Sequence, residues 1–221
     1  MMLKTCWHSL LDFLFPPHCP VCHAYVENQG DWCSKCLREA RQTHLILLPA
    51  PMHSVIKAAW ALGIYRGGLR SLIHDLKYKK RRSVLPYVRT FLRAADFVLP
   101  EAYDFAVPVP LHKNRERRRG FNQVEVIFGD WLQEKGVPLR RALLRVRETR
   151  PLYDMTPQER KQNLNHAFVL APGMEQEVAG RHILLLDDIL TTGTTLMACA
   201  AVLRQAGAAC VDVLVFASDH R

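Results

Sequence analysis

The chain alternates between short apolar runs and longer segments in which apolar residues recur at helical spacing. Apolar runs that predict strands lie at 58–65, 105–109, 142–146, 167–170, 183–186 and 211–216. Amphipathic patterns that predict helices lie at 69–78, 84–98, 123–135 and 196–206. Strands that alternate with helices favour an α/β fold with a mainly parallel sheet flanked by helices.

The N-terminal residues carry a separate pattern. An apolar stripe typical of one helix face is formed by Leu3, Trp7, Leu10, Leu11 and Leu14. Polar residues interrupt this segment and no small-residue cleavage site follows it. We therefore interpret it as a helix docked on the protein's own core rather than a secretory signal. No apolar run approaches the roughly 20 residues needed to cross a bilayer, so we expect a cytoplasmic protein with no membrane partner.

A segment rich in Pro and Leu at 45–52 separates two predicted units. Residues 1–44 contain the N-terminal helix and a cysteine-rich module, and residues 53–221 contain the alternating strands and helices. The length of 221 residues fits one sizeable domain with a small appendage. The composition, 49% apolar and 23% charged, excludes a disordered chain.

Four cysteines lie in two Cys-x2-Cys pairs, Cys19 with Cys22 and Cys33 with Cys36. Each pair can place two thiolates on one metal ion, and two pairs complete a tetrahedral site with no open position for water. The pattern predicts a structural zinc ion, with a redox-active pair as the alternative. His18 and His23 are alternative ligands that could substitute for a cysteine, but we expect both at the surface.

The segment 183–195 combines an apolar strand, two adjacent carboxylates and a hydroxyl-rich turn. The carboxylates are Asp187 and Asp188, and the turn consists of Thr191, Thr192, Gly193, Thr194 and Thr195. Open α/β sheets bind ligands at the carboxyl ends of strands, and free N–H groups at a helix N-terminus form a phosphate cradle. Paired carboxylates suit a sugar diol and a divalent cation. The pattern predicts a site for a phosphorylated ribose, with an ordinary capped strand–turn–helix unit as the alternative.

The formal net charge is +9, from 30 Lys and Arg against 21 Asp and Glu. Half of the basic side chains lie in three clusters, at 77–82, 113–119 and 140–150. Such clusters are typical of proteins that bind pyrophosphate, nucleotides or nucleic-acid backbones, with solvated basic faces as the alternative. In the second cluster, Arg115 and Arg119 precede Gly120, where a loop would allow bidentate phosphate contacts. An exposed helix start is the alternative there.

Taken together, these motifs resemble the ComF/GntX family of bacterial proteins over nearly the whole chain. The resemblance rests on segments 15–22, 33–36, 65–67, 72–78, 107–111, 119–123 and 187–195, and on Arg160, Asn163, Ala167 and Phe168. Segment 187–195 is similar to the PRPP motif of type I phosphoribosyltransferases. Leu152 stands where the family usually has a glutamine. A second pair of zinc knuckles, which the family often carries, is absent from the sequence.

The resemblance implies a phosphoribosyltransferase-like domain over 53–221 that binds PRPP with Mg²⁺. Asp187 and Asp188 would be the catalytic pair, holding the ribose hydroxyls and the waters of the metal ion. Thr191, Thr192, Gly193, Thr194 and Thr195 would bind the 5-phosphate. The pyrophosphate would be bound by Arg115, Arg119 and Lys77, under a loop around 147–160 that closes over the site.

Two functions stay open at this point. One is a Mg²⁺-dependent phosphoribosyltransferase, a glycosyltransferase whose acceptor the sequence does not name. The other is a non-catalytic module that senses PRPP or binds single-stranded DNA, since the family is associated with natural competence and DNA utilisation. Charge and stacking surfaces would then come from Arg118, Phe121, Tyr78 and Tyr87, with burial of the aromatic rings as the alternative. Competence proteins are implied partners, and a homodimer is open because many proteins of this fold are dimers.

Overall fold

The computed structural model describes residues 16–148 and 166–219. The predicted N-terminal helix, most of the predicted closing loop, Leu152, Arg160 and Asn163 lie outside these residues. Within the described part of the chain, no helix is both long enough and apolar enough to cross a bilayer.

The core of the fold is a five-stranded sheet. The strands in chain order are β1 (Arg41–Leu45), β2 (Ala59–Gly63), β3 (Phe105–Pro108), β4 (Leu143–Arg145), β5 (Phe168–Leu170), β6 (His182–Leu190) and β7 (Cys210–Ser218). The sheet has the order β1-β2-β7-β6-β3, and only the β1–β2 pair is antiparallel. β4 and β5 form a separate antiparallel pair. The prediction of a mainly parallel sheet is confirmed.

Seven α-helices and two short 3₁₀ turns connect the strands in the described residues. The helices are α1 (Ser34–Ala40), α2 (Gly67–Tyr78), α3 (Leu85–Ala95), α4 (Lys113–Arg119), α5 (Gln123–Glu134), α6 (Glu175–Val178) and α7 (Thr194–Gln205), and the 3₁₀ turns are Ala50–Met52 and Arg82–Val84. Side-chain capping sets one boundary, because Asn122 accepts a hydrogen bond from the Val124 N–H at the start of α5. Gly120, with a φ of 86°, ends α4 in the left-handed conformation.

The two faces of the sheet bury two apolar layers. In β6, Leu184 and Leu186 belong to the layer that contains the apolar faces of α2, α3 and α5. Ile183 and Leu185 belong to the opposite layer, together with α7 and the β4–β5 pair. This alternation follows from the two-residue period of a strand, and it decides which helices each later residue of β6 can reach.

The cysteine-rich module packs on the first of these layers. Trp32 is buried, lies with its ring centroid 6.0 Å from that of Phe91, and donates its indole N–H to the Tyr87 carbonyl at 2.9 Å. β1 follows α1 directly and joins the main sheet by pairing with β2. The sequence did not indicate this strand, whose residues are polar except for Leu45 and are all exposed or half-buried. The division at residues 44 and 53 stays a prediction.

Two local predictions were wrong. The strand predicted to end at Leu186 continues as β6 to Leu190, so Asp187 and Asp188 lie within the strand rather than after it. The basic segment predicted as a loop is mostly helical, because α4 begins directly after His112, which caps it. Arg115 and Arg119 are therefore presented by a helix, the arrangement that the sequence had left as the alternative.

Candidate functional site

A cavity of about 910 Å³ lies at the carboxyl ends of β3 and β6, where open α/β sheets place ligands. It is lined by Tyr65, Lys77, Tyr78, Lys80, Val109, Pro110, Leu111, Arg115, Arg118, Arg119, Gln123, Arg145, Asp187, Asp188, Ile189, Thr191 and Thr195. Seven of the ten residues predicted for the ribose-phosphate site are in this set. Residues from four distant segments of the chain thus meet in one space, which we call the large cavity.

Strand alternation directs the two adjacent carboxylates to opposite faces of the sheet. Asp188 continues the row of Leu184 and Leu186 and reaches α2, where Lys77 lies in the last turn. Asp187 continues the row of Ile183 and Leu185, which faces α7. Both still line the large cavity because it extends over the end of β6.

Asp188 has one strong partner and one unsatisfied oxygen. Lys77 Nζ donates to Asp188 Oδ1 at 2.8 Å, and the two side chains are 18% and 4% exposed. Asp188 Oδ2 is buried and has no hydrogen-bond partner within residues 16–148 and 166–219. A buried carboxylate oxygen without a partner is costly, so this atom fits a hydroxyl donor or a cation supplied by a ligand.

Burial raises the pKa of Asp187 to about 8, and the nearby charge of Asp188 acts in the same direction. Lys77, the Asp188 N–H and Arg145 act in the opposite direction. The Asp188 N–H donates to Asp187 Oδ1 at 2.8 Å. A divalent cation entering the cavity would favour the ionised form, because its charge offsets the repulsion between the two carboxylates.

The hydroxyl-rich loop forms a tight turn into α7. Gly193 has a φ of 72°, which favours glycine, and a Cβ on this residue would lie 2.7 Å from Cε of the buried Met52, so the end of that side chain would have to shift. Thr191 and Thr195 line the large cavity, whereas the hydroxyls of Thr192 and Thr194 lie 3.0 Å from each other. The first N–H groups of α7 have no partner within the helix, as the predicted phosphate site requires.

The basic side chains of the large cavity come from three elements. Arg115 and Arg119 lie one turn apart on α4 and both line the cavity. Burial lowers the pKa of Arg119 from its ordinary value, an effect partly offset by Asp188, and its guanidinium donates to Gln123 Oε1. Lys77 was predicted to bind pyrophosphate, but in the structure it is bonded to Asp188.

Sequence reasoning placed Arg145 in a basic cluster but did not place it at the site. It ends β4, lines the large cavity, and its guanidinium carbon lies 5.3 Å from the centroid of the Phe168 ring on β5. The charge of Arg145 also helps to keep the pKa of Asp187 from rising further. The only signal in the sequence was the third basic cluster, because the pairing of two three-residue strands cannot be read from local pattern.

Much of the remaining basic charge is paired at the surface. Lys79 and Arg81 pair with Asp75, and Arg141 pairs with Glu116 and Glu125. These pairs match the alternative of solvated basic faces, and exposed pairs of this kind contribute little to stability. Six members of the clusters line the large cavity: Lys77, Lys80, Arg115, Arg118, Arg119 and Arg145. Two of them are paired as well, Lys77 with Asp188 and Arg118 with Glu148.

A second candidate site is the cysteine cluster. The Sγ atoms of Cys19, Cys22, Cys33 and Cys36 all lie within 4.8 Å of one another, and those of Cys22 and Cys33 are 3.6 Å apart. Burial and the neighbouring thiols raise the pKa of Cys36, so four thiolates can coexist here only with a cation among them. The donor set and spacing fit tetrahedral zinc with no open position. His18 and His23 are exposed, as expected.

Comparison with known protein families agrees with both sites. Residues 10–45 match the double zinc ribbon domain, and residues 126–221 match the phosphoribosyl transferase domain. The first match, together with the cysteine cluster, supports a structural zinc site. The second includes the hydroxyl-rich loop and both carboxylates.

Individual relatives match most of the chain. DNA utilization protein YhgH of Escherichia coli K12 is 31% identical over 211 residues, which cover 88% of this chain and 87% of the relative. Competence protein F of Haemophilus influenzae is 28% identical over 200 residues, which cover 86% of this chain and 80% of the relative. The solved glutamine PRPP amidotransferase of B. subtilis is 19% identical over 53% of this chain and 23% of its own, with a TM-score of 0.36.

Proposed function

This chain belongs to the ComF family, with the DNA utilization protein YhgH and competence protein F, and we propose that its large cavity binds PRPP together with Mg²⁺. One observation carries this proposal: the hydroxyl-rich loop, the two carboxylates and basic side chains from three elements line the same cavity. PRPP has a 5-phosphate, a ribose diol and a pyrophosphate. Each of these groups matches one set of residues in the large cavity.

The 5-phosphate would lie at the N-terminus of α7. Thr191 and Thr195 line the cavity there and can donate their hydroxyls to phosphate oxygens. The N–H groups of the first turn add donors, and the positive end of the helix dipole favours an anion. Gly193 allows the backbone to make this turn without a side chain.

The ribose hydroxyls would lie against the end of β6. Asp188 Oδ2 is buried and finds no partner in the part of the chain that the structure describes, so a ribose hydroxyl that donates to it would satisfy this atom. Asp187, on the other face of the strand, would accept from the neighbouring hydroxyl. Lys77 then acts as the counter-ion of Asp188 rather than as a pyrophosphate ligand.

The pyrophosphate would lie between α4 and the end of β4. Arg115 and Arg119 offer guanidinium groups from one face of α4, and Arg145 faces the same cavity from β4. Such donors are positioned before the ligand arrives and can stabilise charge that grows on a leaving pyrophosphate. When bound, Mg²⁺ would screen the pyrophosphate charge and contact oxygen donors beside the carboxylates.

A transferase of this kind breaks the bond between C1 of PRPP and pyrophosphate and joins C1 to an acceptor. The residues above supply binding and electrostatic stabilisation of an oxocarbenium-like state. A protein that binds PRPP as a signal, without turnover, would use the same contacts. The names of the relatives lead us to place either activity in the handling of DNA that the cell takes up.

Calorimetric titration of Mg²⁺–PRPP into the zinc-loaded protein tests the binding. We expect a dissociation constant in the micromolar range, equivalent to about −8 kcal/mol. The double variant Asp187→Asn/Asp188→Asn should lose this binding. A matched control is Asp130→Asn/Glu134→Gln, which replaces two carboxyl groups by amides at exposed positions on α5. Absence of binding to the wild-type protein, or equal binding by both double variants, would refute the proposal.

A second candidate function is the binding of single-stranded DNA, favoured by the rim of the large cavity. Tyr78 is 66% exposed there, next to the exposed basic side chains of Lys80 and Arg118. Exposed aromatic rings among basic residues hold single strands by stacking and phosphate contacts. The two other aromatic residues considered for this role lie elsewhere: Phe121 is buried beneath Arg82, and Tyr87 is half-buried against the zinc module.

Fluorescence anisotropy with a labelled oligothymidine tests this second function. We expect affinity to fall steeply as salt rises, because phosphate contacts release counterions. Tyr78→Ala should weaken binding by about 1–3 kcal/mol for each base that stacks on the ring. Tyr25→Ala removes a ring that is 68% exposed on the zinc module and serves as the control. Equal affinity of the two variants would argue against a binding surface at the rim.

A further inference from the structure

The zinc module, which comprises residues 16–40, packs against the start of α2 at a glycine. Gly68 is buried in the first turn of α2. A Cβ on this residue would overlap Val21 Cγ2 and would lie 3.0 Å from Trp32 Cζ3. The backbone of Gly68 is helical, and alanine is ordinarily the better helix former. The close approach of the zinc module therefore explains the glycine at this position.

A second close approach places the zinc module on the start of α3. A Cβ on Gly30 would lie 2.5 Å from Pro86 Cβ, and Pro86 lies in the first turn of α3. The hydroxyl of Tyr87 donates to the His18 carbonyl at 3.4 Å, and the Tyr87 carbonyl accepts the indole N–H of Trp32. The zinc module thus contacts the starts of two helices that belong to the same apolar layer.

The end of α2 supplies side chains to the large cavity. Lys77, Tyr78 and Lys80 line the cavity from the last turn of α2 and the residues after it. Lys77 lies about 14 Å from Gly68 along the helix axis, at about 1.5 Å per residue. A packed helix is a rigid element, so it passes a displacement of its start to its end. The distance of 2.8 Å between Lys77 and Asp188 therefore depends on how the start of α2 is held.

The zinc module itself lies outside the large cavity. Among the residues that the structure describes, none from 16–40 lines this cavity. Val21 directly precedes Cys22, and Trp32 directly precedes Cys33, so both side chains that meet Gly68 belong to the turns that carry the metal ligands. When bound, zinc would fix these turns and the side chains next to them. Any effect of the module on the cavity is thus passed on through the helices that it contacts.

We propose that the contact of Val21 and Trp32 with Gly68 positions α2 so that Lys77 meets Asp188 at the site assigned to PRPP. Val21, Trp32 and Gly68 are then positioning residues, which touch no ligand and act through Lys77. The effect on the ion pair follows from the packing of the protein alone, whereas the effect on ligand affinity rests on the proposed function.

A double-mutant cycle in urea tests the effect on the ion pair in the zinc-loaded protein. The measured quantity is the loss in free energy of unfolding that Lys77→Met causes, in the wild type and in the Gly68→Ala background. We expect this loss to fall by about half or more with Gly68→Ala, because the displaced helix has already weakened the ion pair. Gly129→Ala is the matched control and should leave the loss unchanged. This glycine lies within α5, and a Cβ on it would meet none of the described residues within 4 Å.

A variant that opens the same contact keeps the test valid if Gly68→Ala fails to fold. Val21→Ala removes the methyl group that a Cβ on Gly68 would overlap, so it should loosen α2 and also reduce the Lys77→Met loss. Adding Gly68→Ala returns a methyl group to this space and should restore the loss toward its wild-type value. A contact that only stabilises the fold would leave the Lys77→Met loss the same in all of these backgrounds.

Calorimetric titration with Mg²⁺–PRPP, with Lys77 intact, tests the effect on the ligand. Gly68→Ala should weaken binding by roughly two- to thirtyfold, the range that corresponds to coupling between distant sites. Val21→Ala should weaken binding in the same direction. The double variant Val21→Ala/Gly68→Ala and the control Gly129→Ala should bind within about twofold of the wild type, since neither displaces α2.

The outcomes separate this inference from the proposed function. The inference is refuted if the Lys77→Met loss is the same in the wild type, Gly68→Ala and Val21→Ala, or if it falls equally in Gly129→Ala. It is also refuted if Gly68→Ala and Val21→Ala bind Mg²⁺–PRPP as tightly as the wild type does. If the loss falls as expected but the wild type binds no Mg²⁺–PRPP, the proposed function fails while the positioning of the ion pair by the zinc module is supported.

Discussion

Replacing Lys77 by methionine tests the electrostatic design of the site most directly. The substitution keeps the length of the apolar stem and removes the ammonium group. In the folded protein this leaves Asp188, whose side chain is 4% exposed, without its partner at 2.8 Å. The other oxygen of this carboxylate has no hydrogen-bond partner among the described residues, so the nearby charge of Arg119 compensates it only in part.

The expected loss in free energy of unfolding follows from the burial of the ion pair between Lys77 and Asp188. Removing one partner of a buried ion pair costs about 3–5 kcal/mol. We expect about 3 kcal/mol for Lys77→Met, because Lys77 is 18% exposed and some water can reach the site. Adding Asp188→Asn removes the uncompensated charge, so the double variant should recover about 2 kcal/mol relative to Lys77→Met.

Urea unfolding of the zinc-loaded, ligand-free protein measures these differences, provided that the slope of the transition stays constant. Lys79→Met is the control. Lys79 pairs with Asp75 at 2.7 Å but is 49% exposed, so its loss should cost less than about 1 kcal/mol. The reasoning fails if Lys77→Met costs no more than Lys79→Met, or if the double variant is no more stable than Lys77→Met.

Three further predictions concern pH, the loop and zinc. The pKa of Asp187 is raised to about 8, so between about pH 4 and 8 the folded state binds more protons than the unfolded state. Zinc-loaded, magnesium-free wild-type protein should lose stability as pH rises through this range, and Asp187→Asn should lose less when unfolding is compared at about pH 5 and 8. Gly193→Ala should cost more than the 1–2 kcal/mol expected for its backbone alone, as measured against Gly136→Ala, whose Cβ meets no neighbour. Chelation of zinc should unfold the module, expose Trp32 and shift its fluorescence.

Each of these predictions has a contradicting result. Parallel pH profiles of the wild type and Asp187→Asn would show that burial does not hold a proton on this carboxyl. Equal costs of the two glycine substitutions would show that Met52 moves aside freely. An unchanged melting temperature and tryptophan spectrum after complete chelation would show that the cysteine cluster does not support the fold.

The sequence by itself determined the features that depend on the residue pattern within one segment of the chain. The alternation of apolar runs and amphipathic segments predicted the mainly parallel sheet and its helices, because each strand and helix carries its own period. The two Cys-x2-Cys pairs predicted the cysteine cluster, since their spacing already sets two ligands on each turn. The loop at Gly193 was visible because threonine and glycine have strong preferences at a turn before a helix.

Short elements with weak local patterns were missed or misassigned. β1 has four polar residues and one leucine and lies at the sheet edge, so no apolar period marked it. The basic segment before Gly120 contains no apolar residue, and periodicity could not distinguish helix from loop there. The strand β6 extended beyond its apolar part because hydrogen bonds to β7 continue past Asp187.

Only the tertiary structure decided how the charges at the site are paired. Lys77 and Asp188 are 111 residues apart in the chain, and their ion pair depends on α2 packing against one face of β6. Arg145 reaches the opposite face through the β4–β5 pair and limits the rise in the pKa of Asp187. The sequence shows which charged groups exist, but their energies depend on distance and burial, and those are set when distant segments pack together.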